Sequence, residues 1–455
     1  MSNASLARSN RWGSRGDHAG YICPRVLPDS PTPNLSSKRL ASRRPSLSLH
    51  SLFSITMVAI QWGALAARAL VFTSYHPRAA DNSAYTKNAQ DAAKALQEWY
   101  EQSSGLWKTT GWWNSANCLT VLGDLALADS AVGDAVKVKD VFANTFSNAQ
   151  KTAATADKKL NNGKIVATYK YEAKTKQSKR KAQGFPNFLN NFYDDEGWWG
   201  LALLRGWDTT GDANMLDAAQ HIFDDMAENG IDNTCGGGVW WSKDKTYKNA
   251  IANELFIALG AGLANRVANR KDSQIRQVLK VWNWFKQSGM INDKGLINDG
   301  LKQTDNGCVN NGMQTWSYNQ GVILGGLVEL SKATGDQSYV ADAVKIANAA
   351  LKALQDDTGI IREIDRCEPN CGDDGSQFKG IFVRNLAYLH RVAPHDNFRD
   401  AILKNADSIW AHNRNSKNQL GINWAGPAEA GKGPTAATHS SAMDVLVGAL
   451  AASKK

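Results

Sequence analysis

The chain lacks the marks of several large functional classes. It has six cysteines, at 23, 118, 235, 308, 367 and 371, but the one close pair, "CEPNC", has no second pair or histidine beside it, as a zinc site needs. Surplus charge is missing from most of the chain. The formal net charge is +9, yet residues 1–69 hold nine Lys/Arg against two Asp/Glu, which leaves only +2 for the remainder. So neutral a body gives nucleic acid no electrostatic footprint. No apolar run reaches the ~20 residues of a stable membrane span. Acids one helical turn apart, as a magnesium–diphosphate site needs, are absent as well: Trp198 stands three residues after Asp195, and no second Asp/Asn-rich motif follows. Neither a metal nor a cofactor is expected.

What is present begins with an N-terminal targeting pattern. Residues 1–50 are rich in Ser, Pro and Arg and have no periodicity. "SLFSITMVAIQWGALAARA" (51–69) then follows Arg43 and Arg44 and ends in Ala67-Arg68-Ala69, a small-x-small cleavage pattern. Residues 1–69 therefore read as an N-terminal extension and signal peptide, with a mature chain from near Leu70 that is secreted, extracellular or cell-wall associated. An uncut signal anchor and a true start at an internal Met such as Met57 are the alternatives. The C-terminal "VLVGALAASKK" has too short an apolar tail for a GPI signal.

From about residue 81 the pattern is helical and repetitive. "TGD" at 210–212 and 334–336 and "VGD" at 132–134 each separate two apolar runs. The glycine suits a helix end and the aspartate the next N-cap, so Asp134, Asp212 and Asp336 mark units of about 60 residues. First helices are placed near 117, 194, 249, 316, 379 and 437, and second helices near 134, 213, 272, 336 and 396. A helix at about 84–102 supplies the missing partner of the sixth. "IANELFIALGAGLA" and "NQGVILGGLVEL" are apolar or small on nearly every side, as doubly buried inner helices must be. After Asp336, by contrast, Val340, Val344, Ala347, Leu351 and Leu354 follow one helical face. The fold predicted for residues 70–455 is all-α: an (α/α)6 barrel of six helical hairpins, expected to be a monomer. In a secreted chain the cysteines read as disulfides. Cys235 and Cys308, in loops before consecutive inner helices, are expected to pair. Cys367 and Cys371 should pair locally, leaving Cys118 free.

The polar and aromatic clusters fall just before inner helices: "GWWNSANC", "NFYDDEGWW", "CGGGVWWSKDKTYKNAIANE", "QTWSYNQG" and "DDGSQFKGIFVRN". A ring of parallel inner helices brings these starts to one mouth. Asp194 and Asp195 open one such helix. Acids at a helix start serve as caps by default, but a cap does not need Tyr193, Trp198 and Trp199 beside it. Two carboxylates in an aromatic groove suit glycoside hydrolysis, one ionised to attack and one protonated to donate. Adjacency helps, because the charge on one raises the pKa of the other. Sixteen tryptophans also suit sugars, whose apolar ring faces stack on indoles. Trp112, Trp113, Trp240, Trp241, Trp316 and Tyr318 are candidate platforms, with one ring of each tandem pair facing inward. Asn253, Asn319, Lys379 and Arg384 are candidates to bond sugar hydroxyls or, equally, to cap helices. The basic run Lys174 to Lys181 reads as a solvated insertion, with contact to a phosphorylated glycan as a second reading.

"YDDEGWWGLALLRGWDTTGD", "CGGGVWWS" and "WSYNQGVILGGLVEL", in that order, resemble glycoside hydrolase family 76, the endo-α-1,6-mannanases and their fungal cell-wall relatives. The resemblance runs from about residue 84 to the C-terminus. It implies an (α/α)6 barrel with retaining chemistry, Asp194 as nucleophile, Asp195 as acid/base, and α-1,6-mannan or the mannan chains of GPI-linked glycoproteins as substrate. Hydrolysis is the first reading. Transglycosylation of wall glycoproteins and a catalytically inactive mannan-binding module are the alternatives.

Overall fold

The computed structural model describes residues 82–152, 154–161, 164–171 and 184–454. The signal segment, the expected start near Leu70 and the run Lys174–Lys181 lie outside them.

Chain order gives the barrel directly. α1 (Asn82–Leu96) leads, and a short hairpin, β1 (Tyr100–Glu101) and β2 (Leu106–Trp107), follows it. Then come α2 (Trp112–Ala128), α3 (Ser130–Ala135) and α4 (Val138–Asn148). An antiparallel hairpin, β3 (Ala154–Asn161) and β4 (Lys164–Tyr171), precedes α5 (Tyr193–Thr210) and α6 (Ala213–Asn229). α7 (Ala250–Ala264) pairs with α8 (Lys271–Gln287); the hairpin β5 (Leu301–Thr304) and β6 (Gly307–Asn310) then leads to α9 (Ser317–Thr334) and α10 (Ser338–Leu354). The single turn α11 (Gly372–Gly375), α12 (Phe378–Val392), α13 (Asp396–His412) and α14 (Ala436–Ser453) complete it.

The inner ring is α2, α5, α7, α9, α12 and α14, each packed on the next, with α14 returning to α2. All fifteen residues of α7 are buried, because it meets inner neighbours on both flanks and α8 behind. The outer helices bury one face only: in α10 these are Val340, Ala343, Ile346, Ala347, Ala350, Leu351 and Leu354. Glycine sets the spacing where inner helices nearly touch. A Cβ on Gly380 of α12 would lie 2.4 Å from the Ser441 Cα of α14. α1 closes the ring from outside: the Tyr85 hydroxyl donates to Asp407 at 2.8 Å, and His439 Nε2 lies 2.8 Å from the Ala92 carbonyl.

Two of the three repeat marks behave as the sequence suggests. Gly211 and Gly335 end α5 and α9 at φ 75° and 81°, the left-handed conformation that glycine adopts without strain. Asp212 accepts from Asn214 N–H, and Asp336 from Ser338 N–H. The third mark is corrected. Asp134 lies inside α3, where Asp129 does the capping by accepting from Val132 N–H, and the long outer helix starts only at Val138. The first inner helix starts at Trp112 rather than near 117, because Asn114 Oδ1 accepts from Gly111 N–H and so closes the first turn early.

At the mouth, four inner helices bond to the next segment around the ring. Tyr193 N–H donates to Trp241 O (2.9 Å), Ala250 N–H to Asp299 O (2.8 Å), Ser317 N–H to Glu363 Oε2 (3.1 Å) and Gly380 N–H to Ser441 Oγ (2.9 Å). Orphan helix donors thus hold the loops of the site in place. Both expected disulfides are present, Cys235–Cys308 and Cys367–Cys371, and Cys118 is a free, buried thiol.

Candidate active site

Asp194 and Asp195 occupy the first turn of α5 at the mouth of the barrel, 5% and 0% exposed. Each carboxylate has its own surroundings. Asp194 Oδ2 accepts from Lys158 Nζ at 2.8 Å, and its Oδ1 has no hydrogen-bond partner among the described residues. Asp195 Oδ1 also accepts from Lys158, while its Oδ2 accepts from Asn190 Nδ2 at 2.7 Å. Burial raises the Asp195 pKa and the Asp194 charge adds to that, with Lys158 pulling the other way. Burial alone would lower the Lys158 pKa; the attraction of Asp194 and Asp195 outweighs it, so the ammonium is held charged.

Two further acids face this pair. Burial lifts Asp374 to about 7 against the pull of Lys158 and of the Trp113 indole, whose Nε1–H donates to it at 2.9 Å. Burial likewise lifts Asp299 to about 6, although Tyr247, which donates to it at 2.5 Å, and the nearby Asn319 amide pull the other way. The third acid of the motif, Glu196, faces away. Its Oε1 accepts from Asn190 N–H and Lys243 Nζ, both at 2.9 Å, and burial holds its pKa well above the usual range.

A row of rings floors the site. Trp113 and Trp198 stack at 5.4 Å, Trp198 and Tyr318 at 6.4 Å, and Tyr318 and Phe378 at 3.8 Å. Trp316 meets Phe378 edge-on at 5.6 Å. Beside Asp374 opens a cavity of about 650 Å³, lined by Thr109, Asn114, Ser376, Lys432 and Thr438 among others. Such size and polarity suit a sugar ring or two.

Of the residues singled out from sequence, Asp194, Asp195, Trp113, Trp198, Tyr318 and Asn319 come together, with Trp316 at the edge. Five others are engaged in contacts of the framework. Tyr193 packs under the Lys243 ammonium, 5.5 Å from its ring, on the side of Glu196 and Asp225. Trp240 donates to Asp232 and carries Lys248 on its face. Asn253 ties down Val239 through both its N–H and C=O. Lys379 is held by Glu368 at 2.9 Å and the Ile422 carbonyl at 3.0 Å. Arg384 pairs with Asn117 and Asp444 and lines a separate cavity between the C-terminal halves of the inner helices. In the tandem pairs, Trp112 is packed on Phe185, Phe188 and Trp199, whereas Trp113 faces the mouth; Trp241, not Trp240, lies over Lys158.

Lys158, Asn190, Asp299 and Asp374 were not singled out beforehand. Asp374 had a signal, since it stands before α12 much as Asp194 opens α5. Lys158 had none, because its partners lie 36 and 37 residues further along the chain.

The mannan endo-1,6-alpha-mannosidase DCW1 of Candida albicans is 29% identical over 217 residues, 44% of this chain and 47% of that protein. The chain spans about half the length of the curated relatives it matches. An inactive variant of an α-1,6-mannanase of Salegentibacter sp., with two consecutive aspartates replaced by asparagine and α-1,6-mannotriose bound, shares the fold at TM-score 0.62 and 20% identity, over 80% of this chain and 99% of that one. Dfg5 of Chaetomium thermophilum, solved with glucosamine, does so at TM-score 0.64 and 19% identity, over 83% and 92%. The family model for glycosyl hydrolase family 76 matches residues 84–455, and the chain belongs to that family.

Proposed function

We infer that the protein is a secreted, retaining glycosidase that hydrolyses α-1,6-mannosidic linkages of mannan, at or near the cell wall. One observation carries the reading: a single ammonium touches one oxygen of Asp194 and one of Asp195. Two acceptors of one donor lie within about 5.5 Å of each other. That bound is compatible with the about 5–5.5 Å of a double displacement and falls short of the about 6.5–9.5 Å that admits the water of an inverting site. Family membership and the names of the relatives support mannan as the substrate.

In this reading the unpartnered oxygen of Asp194 attacks the anomeric carbon, with the N-terminus of α5 favouring its charge. Asp195, whose pKa is raised by burial, gives its proton to the departing glycosidic oxygen. Mannose is then esterified to Asp194. Asp195 next takes a proton from water, whose oxygen displaces the ester and leaves an α-configured hemiacetal. Trp113, Trp198 and Tyr318 stack on the sugar and exclude bulk water. Asp299 and Asp374 accept hydrogen bonds from its hydroxyls.

The cavity beside Asp374 has room for an acceptor alcohol as well as a leaving group, so transfer to a wall glycan is the second reading. Product analysis on linear α-1,6-mannan, with and without an alcohol acceptor, separates the two. Free reducing ends support hydrolysis; alcohol adducts with little hydrolysis support transfer; no product of either kind contradicts both.

A further inference from the structure

Lys158 belongs to β3, in the hairpin between α4 and α5, and β4 of that hairpin lies against α11, the turn that carries Asp374. Its side chain is 2% exposed. The ammonium bonds both carboxylates of the pair and sits 5.1 Å from the centre of Phe192 and 5.8 Å from that of Trp241. A charge so enclosed is stable only while both carboxylates hold it.

The geometry points to Lys158 as a tethered plug, whose ammonium fills the place where a sugar must react and which substrate has to displace. The inference rests on the glycosidase reading of Asp194 and Asp195. Attack needs the anomeric carbon about 3–3.5 Å from the nucleophilic oxygen, and donation needs the glycosidic oxygen about 3 Å from the acid. The space within such reach of both carboxylates is where Nζ stands, so the two occupants exclude each other. Charge gives the same answer. The transition state carries positive charge at the anomeric centre, and an ammonium left at that spot would repel it. Proton supply also favours departure. Lys158 stabilises the ionised form of Asp195, so replacing the ammonium by a neutral sugar lets the acid take up its proton as the substrate seats. The apo site thus keeps two crowded carboxylates neutralised and closed. Only a ligand that compensates the lost ion pairs opens it, which selects for sugars long enough to bind the rings and the Asp374 cavity together.

Two measurements test this. Lys158 in the native protein should react with an amine-modifying reagent at least tenfold more slowly than exposed Lys139, read by peptide mass spectrometry. In the double variant Asp194→Asn/Asp195→Asn it should react about as fast as Lys139. Separately, Lys158→Met should raise kcat/KM on α-1,6-mannan oligosaccharides about tenfold, mainly through a lower KM. Equal labelling of Lys158 and Lys139 in the native protein overturns the plug, as does, where the wild type cuts mannan, a Lys158→Met enzyme that loses kcat or is unchanged. If labelling behaves as expected while no form of the protein cuts mannan, the plug stands and the mannanase reading falls.

Discussion

The indole N–H of Trp113 donates to Asp374 across the mouth of the barrel, 261 residues apart in the chain. The bond joins a stacking ring to an acid that burial has lifted to about 7. Trp113→Phe keeps a ring against Trp198 but removes the donor. A hydrogen bond to a charged group contributes about 1.5–3 kcal/mol. KM for a mannan oligosaccharide should therefore rise about tenfold with kcat changed little. Steady-state kinetics check this, and an unchanged KM would mean that Asp374 does not meet the sugar.

A second prediction concerns packing. Gly380→Ala puts a methyl group 2.4 Å from the Ser441 backbone, and neither inner helix can yield without moving the ring. Overpacking of this kind costs about 1–3 kcal/mol. Urea unfolding should show a lower midpoint of that size; equal midpoints would contradict so close an approach of α12 and α14.

Acid should weaken the seam where α1 closes the ring. His439 Nδ1 accepts from Leu420 N–H at 3.0 Å, and its Nε2–H points to the Ala92 carbonyl. Burial lowers its pKa to about 4, while an unfolded histidine titrates near ~6.5. Below ~6.5 the unfolded chain binds a proton that the folded chain refuses until about 4. The His439 contribution is thus complete above ~6.5 and lost as pH falls towards 4, by up to about 3 kcal/mol. Glu363 and Asp444, both pushed up to about 7 by burial, act in the opposite sense. The test is therefore the difference in stability between the wild type and His439→Gln. It should shrink between pH 7 and pH 4.5; a constant difference would contradict the assignment.

The covalent framework is open to direct mapping. Cys235 and Cys308, 73 residues apart, should be found in one disulfide-linked peptide pair. Replacing both by serine should cost about 4 kcal/mol on the chain-entropy account. Cys118, buried and pushed up to about 12 by its burial, should resist thiol reagents until the chain unfolds. Rapid labelling of Cys118 in the native state would contradict its placement.

How much of this was legible in the sequence follows from the range of the forces involved. The inner helices were, because burial on every side leaves a composition such as that of α7, which a one-faced helix cannot carry. The loop glycines 211 and 335 were, because left-handed backbone selects the residue locally. Asp134 misled: the capping pattern is short and common, and Asp129, five residues earlier, satisfies it first. Among the tryptophans, the tandem pattern says that two rings leave the backbone in different directions. It does not say which one turns inward. For Trp240 that is decided by Asp232 and Lys248, and for Trp112 by the aromatic cluster around Phe188, neither of which neighbours it in sequence. Lys158 was illegible for a further reason: one of two adjacent lysines in a polar hairpin looks solvated until the fold sets it against two carboxylates.

The central claim is that Asp194 and Asp195 perform a double displacement. Asp194→Asn should abolish turnover on every substrate. Asp195→Asn should hurt least when the leaving group is as acidic as a nitrophenol, because proton donation then matters less. Neither variant should unfold the barrel, since asparagine suits a helix start. Loss of activity alone would not fix the stereochemistry, and the anomer formed first does. Proton NMR of the nascent reducing end, recorded before mutarotation, should show the α-anomer. Initial appearance of the β-anomer would mean inversion, and the catalytic pair would then have to be sought elsewhere in the molecule.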